Sequence, residues 1–137
     1  MDHFSFSFSY RVGIGDINYG GHVSNAAVLT IFQEARLAFL AELGPFSEVE
    51  VGGCGLIMPE AHAYYRREML HGDPLQIGVR VAALKRSAFT LDYQIKRAGE
   101  VTAEGSTVLV CFDYQQRKPC RMPPLFRTAL ETTLHAG

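Results

Sequence analysis

Apolar and polar residues alternate without a fault at the start of the chain. Phe4, Phe6, Phe8, Tyr10, Val12 and Ile14 fall on one face, and Ser5, Ser7, Ser9, Arg11 and Gly13 on the other. Side chains alternate across a strand, so this pattern predicts a long strand with one buried face. The run Gly15-Asp16-Ile17-Asn18-Tyr19-Gly20-Gly21-His22 ends it with turn-forming residues. From about Ser24 to Leu43 the period changes. Val28, Phe32, Ala35, Phe39 and Leu43 recur at three and four residues, which predicts a helix. Ser24 or Asn25 caps its start, and Gly44-Pro45 stops it. Leu29, Ile31, Leu37 and Leu40 widen the apolar surface beyond one stripe, so this helix needs cover on most sides.

The remainder reads as strands. Pro45 to Gly55 is a loop, and Leu56 to about Glu68 a strand with an irregularity near Pro59. His71-Gly72-Asp73-Pro74 is a turn before the alternating Leu75, Ile77, Val79, Val81 and Ala83. Lys85-Arg86-Ser87 interrupts, and Phe89, Leu91, Tyr93 and Ile95 alternate again up to Ala98-Gly99-Glu100. Val101 to Asp113 is a last long strand, Pro119 to Pro124 a connection, and Leu125 to about Leu134 a short helix. Strands joined by short turns pair antiparallel. The expectation is an α+β fold over residues 1–137 as one domain, with an antiparallel sheet of about five strands curled around one long helix.

Composition narrows the function classes. The formal net charge is -1, so no global field recruits nucleic acid. No stretch approaches a membrane span, and the N-terminus lacks the basic and apolar regions of a signal peptide. Cys54, Cys111 and Cys120 are odd in number and form no C-x-x-C pair, which suits a reducing compartment; cytoplasmic is the expectation. The five histidines (His3, His22, His62, His71, His135) show no H-x-x-x-H spacing, so neither a metal nor a redox cofactor is expected.

The run from Gly15 to Asn25, followed by Gln33-Glu34-Ala35-Arg36, resembles the signature of the 4-hydroxybenzoyl-CoA thioesterase-like family of hotdog proteins. That signature reads D-x-D-x-x-G-H-V-x-N, with E-x-A-R about ten residues on. Gly72-Asp73-Pro74-Leu75 looks like the family's G-D-x-L turn. The resemblance implies a hotdog fold, hydrolysis of acyl-CoA thioesters, and a homodimer or homotetramer with active sites at the seam. One departure stands out. Family members that use an aspartate as nucleophile or base carry it as the second acid of D-x-D, and here that position is Asn18. An amide neither attacks a thioester carbonyl nor takes a proton from water as a carboxylate does.

Thioester hydrolysis needs an activator of water, donors for the developing oxyanion, and a groove for the acyl-CoA. The first N–H groups of a helix lack intrahelical partners. By resemblance, the backbone amides of Val23, Ser24 and Asn25 polarise the thioester carbonyl. For the base, Asp16 matches the first acid of the motif; its other reading is a cap that holds the turn or orients His22. His22 relays a proton, holds the carbonyl oxygen, or bonds backbone behind the site. Glu34 matches the helix carboxylate that some hotdog thioesterases use; its other reading is a salt bridge to an arginine. Asn18 is read as a hydrogen-bond partner of the water or the carbonyl. Asn25 also serves to fix the loop. Lys85 and Arg86 resemble a basic stretch that meets the CoA phosphates in benzoyl-CoA thioesterases, or they form a solvated turn. Arg66 and Arg67, adjacent on a predicted strand, are left unassigned because such neighbours face opposite ways. Glu60 and His62 share a strand face and form a reserve acid–histidine pair.

A non-catalytic acyl-CoA or acyl-carrier binding module on the same fold is the alternative reading, and Asn18 is its support. An enoyl-CoA hydratase ranks last, since its Asp–His pair belongs in a differently placed motif. The acyl group stays open.

Overall fold

The structure, a computed structural model, describes residues 4–136, with side chains to Leu134. His3 and His135 lie outside the described side chains. The elements run β1 (Phe6–Arg11), a short 3-10 turn (Ile14–Asp16), α1 (Asn25–Leu43), β2 (Gly55–Tyr65), β3 (Pro74–Leu84), β4 (Ala88–Arg97), β5 (Glu100–Asp113), β6 (Lys118–Pro119) and α2 (Pro124–Ala136). The strands form one antiparallel sheet in the order β1-β3-β4-β5-β2, with the two-residue β6 beside β5.

Every second residue of β4 is buried, from Phe89 through Leu91 and Tyr93 to Ile95, and β3 answers with Leu75, Ile77, Val79 and Val81. Helix α1 lays Val28, Ile31, Phe32, Ala35, Phe39 and Leu40 onto that face. Gly105 makes the closest approach possible: a Cβ there would stand 2.5 Å from the Phe32 ring. Phe32 in turn stacks on Tyr93, with ring centroids 4.5 Å apart. α2 closes one end of the core through Phe126, which meets Phe46 and Phe89 edge-on.

Among the described residues the core holds one buried charge. Arg36 is 3% exposed. Its Nε donates to Glu48 at 2.5 Å and its Nη1 to the Tyr93 hydroxyl at 3.0 Å, and that hydroxyl bonds Thr107 at 2.7 Å. Burial alone would push the guanidinium down, but Tyr93 and Glu48 together hold it above its ordinary value.

Four local expectations are corrected. β1 ends at Arg11, and Ile14 is 75% exposed instead of sharing the buried face. Asp16 explains this: its Oδ2 accepts the Gly13 N–H at 2.9 Å and curls the chain into the turn. Phe4 precedes β1 and lies against Arg80, 4.7 Å from guanidinium carbon to ring centroid. β2 ends at Tyr65, before Arg66, because the N–H groups of Arg66 and Arg67 both donate to Thr102 O, at 2.9 and 3.2 Å. Lastly, the sheet covers only one side of α1, and Leu29 and Leu37 remain 39% exposed. The irregularity near Pro59 is present, as a register shift between Ile57 and Glu60.

Candidate active site

The loop between β1 and α1 is a narrow hairpin. Asn18 N–H donates to His22 O at 2.9 Å, Gly21 N–H donates to Asn18 O at 3.1 Å, and Ile17 bridges Val23. Asn18 Oδ1 accepts the N–H groups of Gly20 and His22, at 2.9 and 3.4 Å. Gly21 has φ +81°, a left-handed conformation that favours glycine. A side chain at Gly20 would meet His22 Cδ2 at 3.0 Å, so this glycine makes room for the imidazole.

The connection from β2 to β3 lies across this hairpin. Val23 N–H donates to Met69 O at 2.8 Å, and His22 bridges Leu70. Between the two segments is a cleft of about 360 Å³, lined by Asn18, His22, Val23, Asn25, Tyr65, Arg66, Arg67, Glu68 and Met69. Arg97 fixes the connection from behind. Its Nη1 donates to Glu68 O at 2.7 Å and pairs with Asp73 at 3.1 Å. Asp73 also accepts the Leu70 N–H at 2.8 Å. That N–H first, and Arg97 second, hold the Asp73 carboxyl below its ordinary value.

Of the three amides expected at the oxyanion site, two are engaged. Val23 N–H bonds Met69 O, and Ser24 N–H bonds Asp16 O at 2.9 Å. Ser24 is the N-cap, and its hydroxyl accepts Ala27 N–H at 3.1 Å. Among the described residues, only the N–H groups of Asn25 and Ala26 are left without an acceptor in the first turn. No acidic side chain in that turn offsets the positive end of the helix. The Tyr65 hydroxyl, donating to Asn25 O at 3.0 Å, holds this first residue in place.

The expected acids are placed differently from one another. Asp16 is not among the residues lining the cleft, and its Oδ2 also accepts the Tyr10 hydroxyl at 2.8 Å. Burial and this Asp16 contact push Tyr10 up to about 12. Glu34 is exposed on α1 and lies on the β1 side of the helix, close enough to Tyr10 to raise it further. It makes no ion pair with an arginine among the described residues. Asn18 and His22 line the cleft, as does Asn25. His62 and Glu60 form an exposed pair at 3.6 Å on the face of the sheet turned away from α1.

Lys85 and Arg86 occupy the β3–β4 turn, where Lys85 N–H bonds Ala88 O at 2.8 Å. β3 starts beside the cleft, so this turn lies about 30 Å away at the other end of the strand. The sequence pattern missed Arg66 and Arg67, which both line the cleft. It also missed Glu68, whose Oε2 stands in close contact with His22 Nδ1. Arg66 is tied to Glu104 at 2.7 Å and Arg67 to Glu100 at 3.4 Å. Cys54 and Cys111 are not nucleophiles here: both are buried, and burial pushes them up to about 12 and about 11. Among the described residues no cluster of side chains suits a metal, and no helix is long and apolar enough to cross a membrane.

Known proteins share this fold. The 1,4-dihydroxy-2-naphthoyl-CoA hydrolase of Synechococcus elongatus is 30% identical over 131 residues, covering 93% of this chain and 96% of that protein. A thioesterase of Thermus thermophilus, solved with coenzyme A and zinc, superposes with a TM-score of 0.87 at 26% identity, over 100% of this chain and 99% of that one. A gentisyl-coenzyme A thioesterase, BH1999, superposes with a TM-score of 0.83 at 28% identity, over 91% and 99%. The pattern of the thioesterase-like superfamily matches residues 12–130, and on that match the chain belongs to this superfamily of hotdog-fold proteins.

Proposed function

We propose that this protein hydrolyses acyl-CoA thioesters to the free acid and CoA. The observation that carries the reading is the cleft at the start of α1 in a thioesterase fold: Asn25, whose backbone N–H is unengaged, lines it, and the equally unengaged N–H of Ala26 comes next in the helix. A thioester carbonyl seated against Asn25 N–H and Ala26 N–H gains negative charge on oxygen as water attacks. Donors fixed in advance stabilise that charge with no reorganisation. The water needs a base to take its proton; by its place in the motif Asp16 is one candidate, although its Oδ2 already holds Gly13 and Tyr10.

The reading includes a homodimer. Among the described residues β2 pairs only with β5 and leaves its other edge open, next to the exposed Met58, Tyr64 and Tyr65. An open edge of this length invites a second strand. A two-fold axis through the β2 edge would run a second copy's strands antiparallel to these. The second copy's β3–β4 turn, with Lys85 and Arg86, then lies at the end of the sheet where this copy's α1 begins. This arrangement gives the two cations a route to the CoA phosphates that one protomer does not offer. The three free thiols favour a cytoplasmic location.

A second reading draws on Asn18. Its Oδ1 is committed to the loop backbone, and it supplies no carboxylate. A module that binds acyl-CoA without turnover would look the same at this position. Thiol release from aromatic, short-chain and medium-chain acyl-CoAs separates the two. Hydroxylated aromatic esters head the panel, since two of the relatives are named for such acyl groups. Turnover well above background establishes the hydrolase. Binding of the esters with no thiol released establishes the module.

A further inference from the structure

Glu68 comes from the connection after β2, far in sequence from the motif, yet its carboxylate abuts His22 Nδ1. That nitrogen is shielded from solvent, and the contact is not aligned as a hydrogen bond. The imidazole is otherwise half open, and the edge carrying Nε2 passes over Gly20, where the absent side chain leaves it room. The same cleft holds the free Asn25 amide. Three devices keep Glu68 where it is: Arg97 bonds its carbonyl, Asp73 holds Arg97 and the Leu70 N–H, and Met69 O takes the Val23 N–H. A carboxylate behind one imidazole nitrogen fixes the tautomer and makes the other nitrogen the stronger base.

We infer that His22 is the general base of this site and Glu68 its positioning residue, a histidine–carboxylate pair standing in for the acid that Asn18 does not provide. The inference rests on the thioester-hydrolase reading above. His22 Nε2 takes a proton from water as the water oxygen bonds to the thioester carbon. The carbonyl electron pair moves onto oxygen and is held by the Asn25 and Ala26 N–H groups. When the carbonyl re-forms, the C–S bond breaks, and the CoA thiolate takes the proton back from Nε2. The products are the carboxylic acid and the CoA thiol, and His22 ends as it began. Other charged or titratable groups facing the pair are Arg66 and Arg67 on the cleft wall and Tyr65 beneath it. Both arginines are already paired with Glu104 and Glu100, which leaves Glu68 as the carboxylate closest to the imidazole.

The test compares the whole protein with His22→Ala, Glu68→Gln and Glu68→Asp, using the acyl-CoA that the panel finds best. Expected is a loss in kcat of about 100-fold or more for His22→Ala, with KM little changed and the melting temperature retained. Added imidazole restores part of that rate. Glu68→Gln lowers kcat at least about tenfold with KM little changed. Glu68→Asp recovers part of the loss. A His22→Ala or Glu68→Gln variant that keeps its kcat overturns the pair while the hydrolase reading stands. Absence of turnover in the unaltered protein on every ester overturns both.

Discussion

Asn25→Pro asks directly whether a backbone amide does the work assigned to it. Asn25 is the first residue of α1, and among the described residues its N–H has no acceptor. Proline fits that first helical position because the missing N–H was unpaired anyway. It also demands an extended residue before it, and Ser24 already has φ -74° and ψ 160°. The Ser24 cap on Ala27 N–H and the Tyr65 bond to Asn25 O both survive the change. Stability should therefore shift by less than about 0.5 kcal/mol, or roughly 2 °C. Catalysis should not be spared. Loss of one oxyanion donor costs about 2.7–4 kcal/mol, a 100- to 1000-fold fall in kcat. Asn25→Ala is the control, because it removes the side chain and keeps the N–H. The assay is thiol release under saturating acyl-CoA, with melting followed by circular dichroism. Equal kcat for the proline and alanine variants would refute the claim that this N–H meets the oxyanion.

Arg36→Met should lower the melting temperature by about 10 °C at fixed protein concentration: stranding a buried partner costs about 3–5 kcal/mol, and the partial exposure of Glu48 favours the lower figure. A drop under about 3 °C would deny the Arg36–Glu48–Tyr93 network that role. Asp73 is held below its ordinary 3.8, so its contribution is present above that pH and is lost as pH falls through the depressed value. Asp73→Asn should be less stable than the parent near neutrality and lose less on acidification, as read by melting temperature against pH. Asn18→Asp keeps an acceptor for the Gly20 and His22 N–H groups and places a carboxylate in the cleft. Introduced into His22→Ala, it should restore turnover at least about tenfold, and no recovery would show that position 18 cannot serve as a base in this chain.

Periodicity exposed the long elements because burial enforces it. The helix from Asn25 to Leu43 falls where the three-and-four spacing of Val28, Phe32, Ala35 and Phe39 puts it, since those side chains are the ones packed on the sheet. The alternation from Phe89 to Ile95 likewise marks a strand with one face in the core. Periodicity failed where a side chain, not burial, directs the backbone. Ile14 continues the apolar stripe of β1 in sequence, yet Asp16 captures the Gly13 N–H and turns the chain away first. Arg66 and Arg67 look like strand neighbours on opposite faces, but a shared bond to Thr102 O takes them out of β2 and puts both on the cleft wall.

The site was half legible for a topological reason. Asn18, His22 and Asn25 belong to one contiguous run, so a motif displays them together. Glu68 has no such neighbourhood in sequence, and the sheet order supplies it. β1 ends beside the start of β3, since Arg11 pairs with Pro74, so the loop entering α1 and the segment entering β3 share one end of the sheet. β2 lies at the opposite edge, beyond β4 and β5. A chain leaving β2 for β3 must therefore cross three strand spacings, about 14 Å, along that same end. Residues 66–73 make this crossing, and it carries them over the start of α1. Arg97 finishes β4 at that end as well, which is why it reaches both Glu68 O and Asp73. Any carboxylate on the crossing segment would pass near the helix start. Among those described, the one set against His22 is Glu68, held by Arg97 and Asp73 through bonds that no spacing rule in the sequence records.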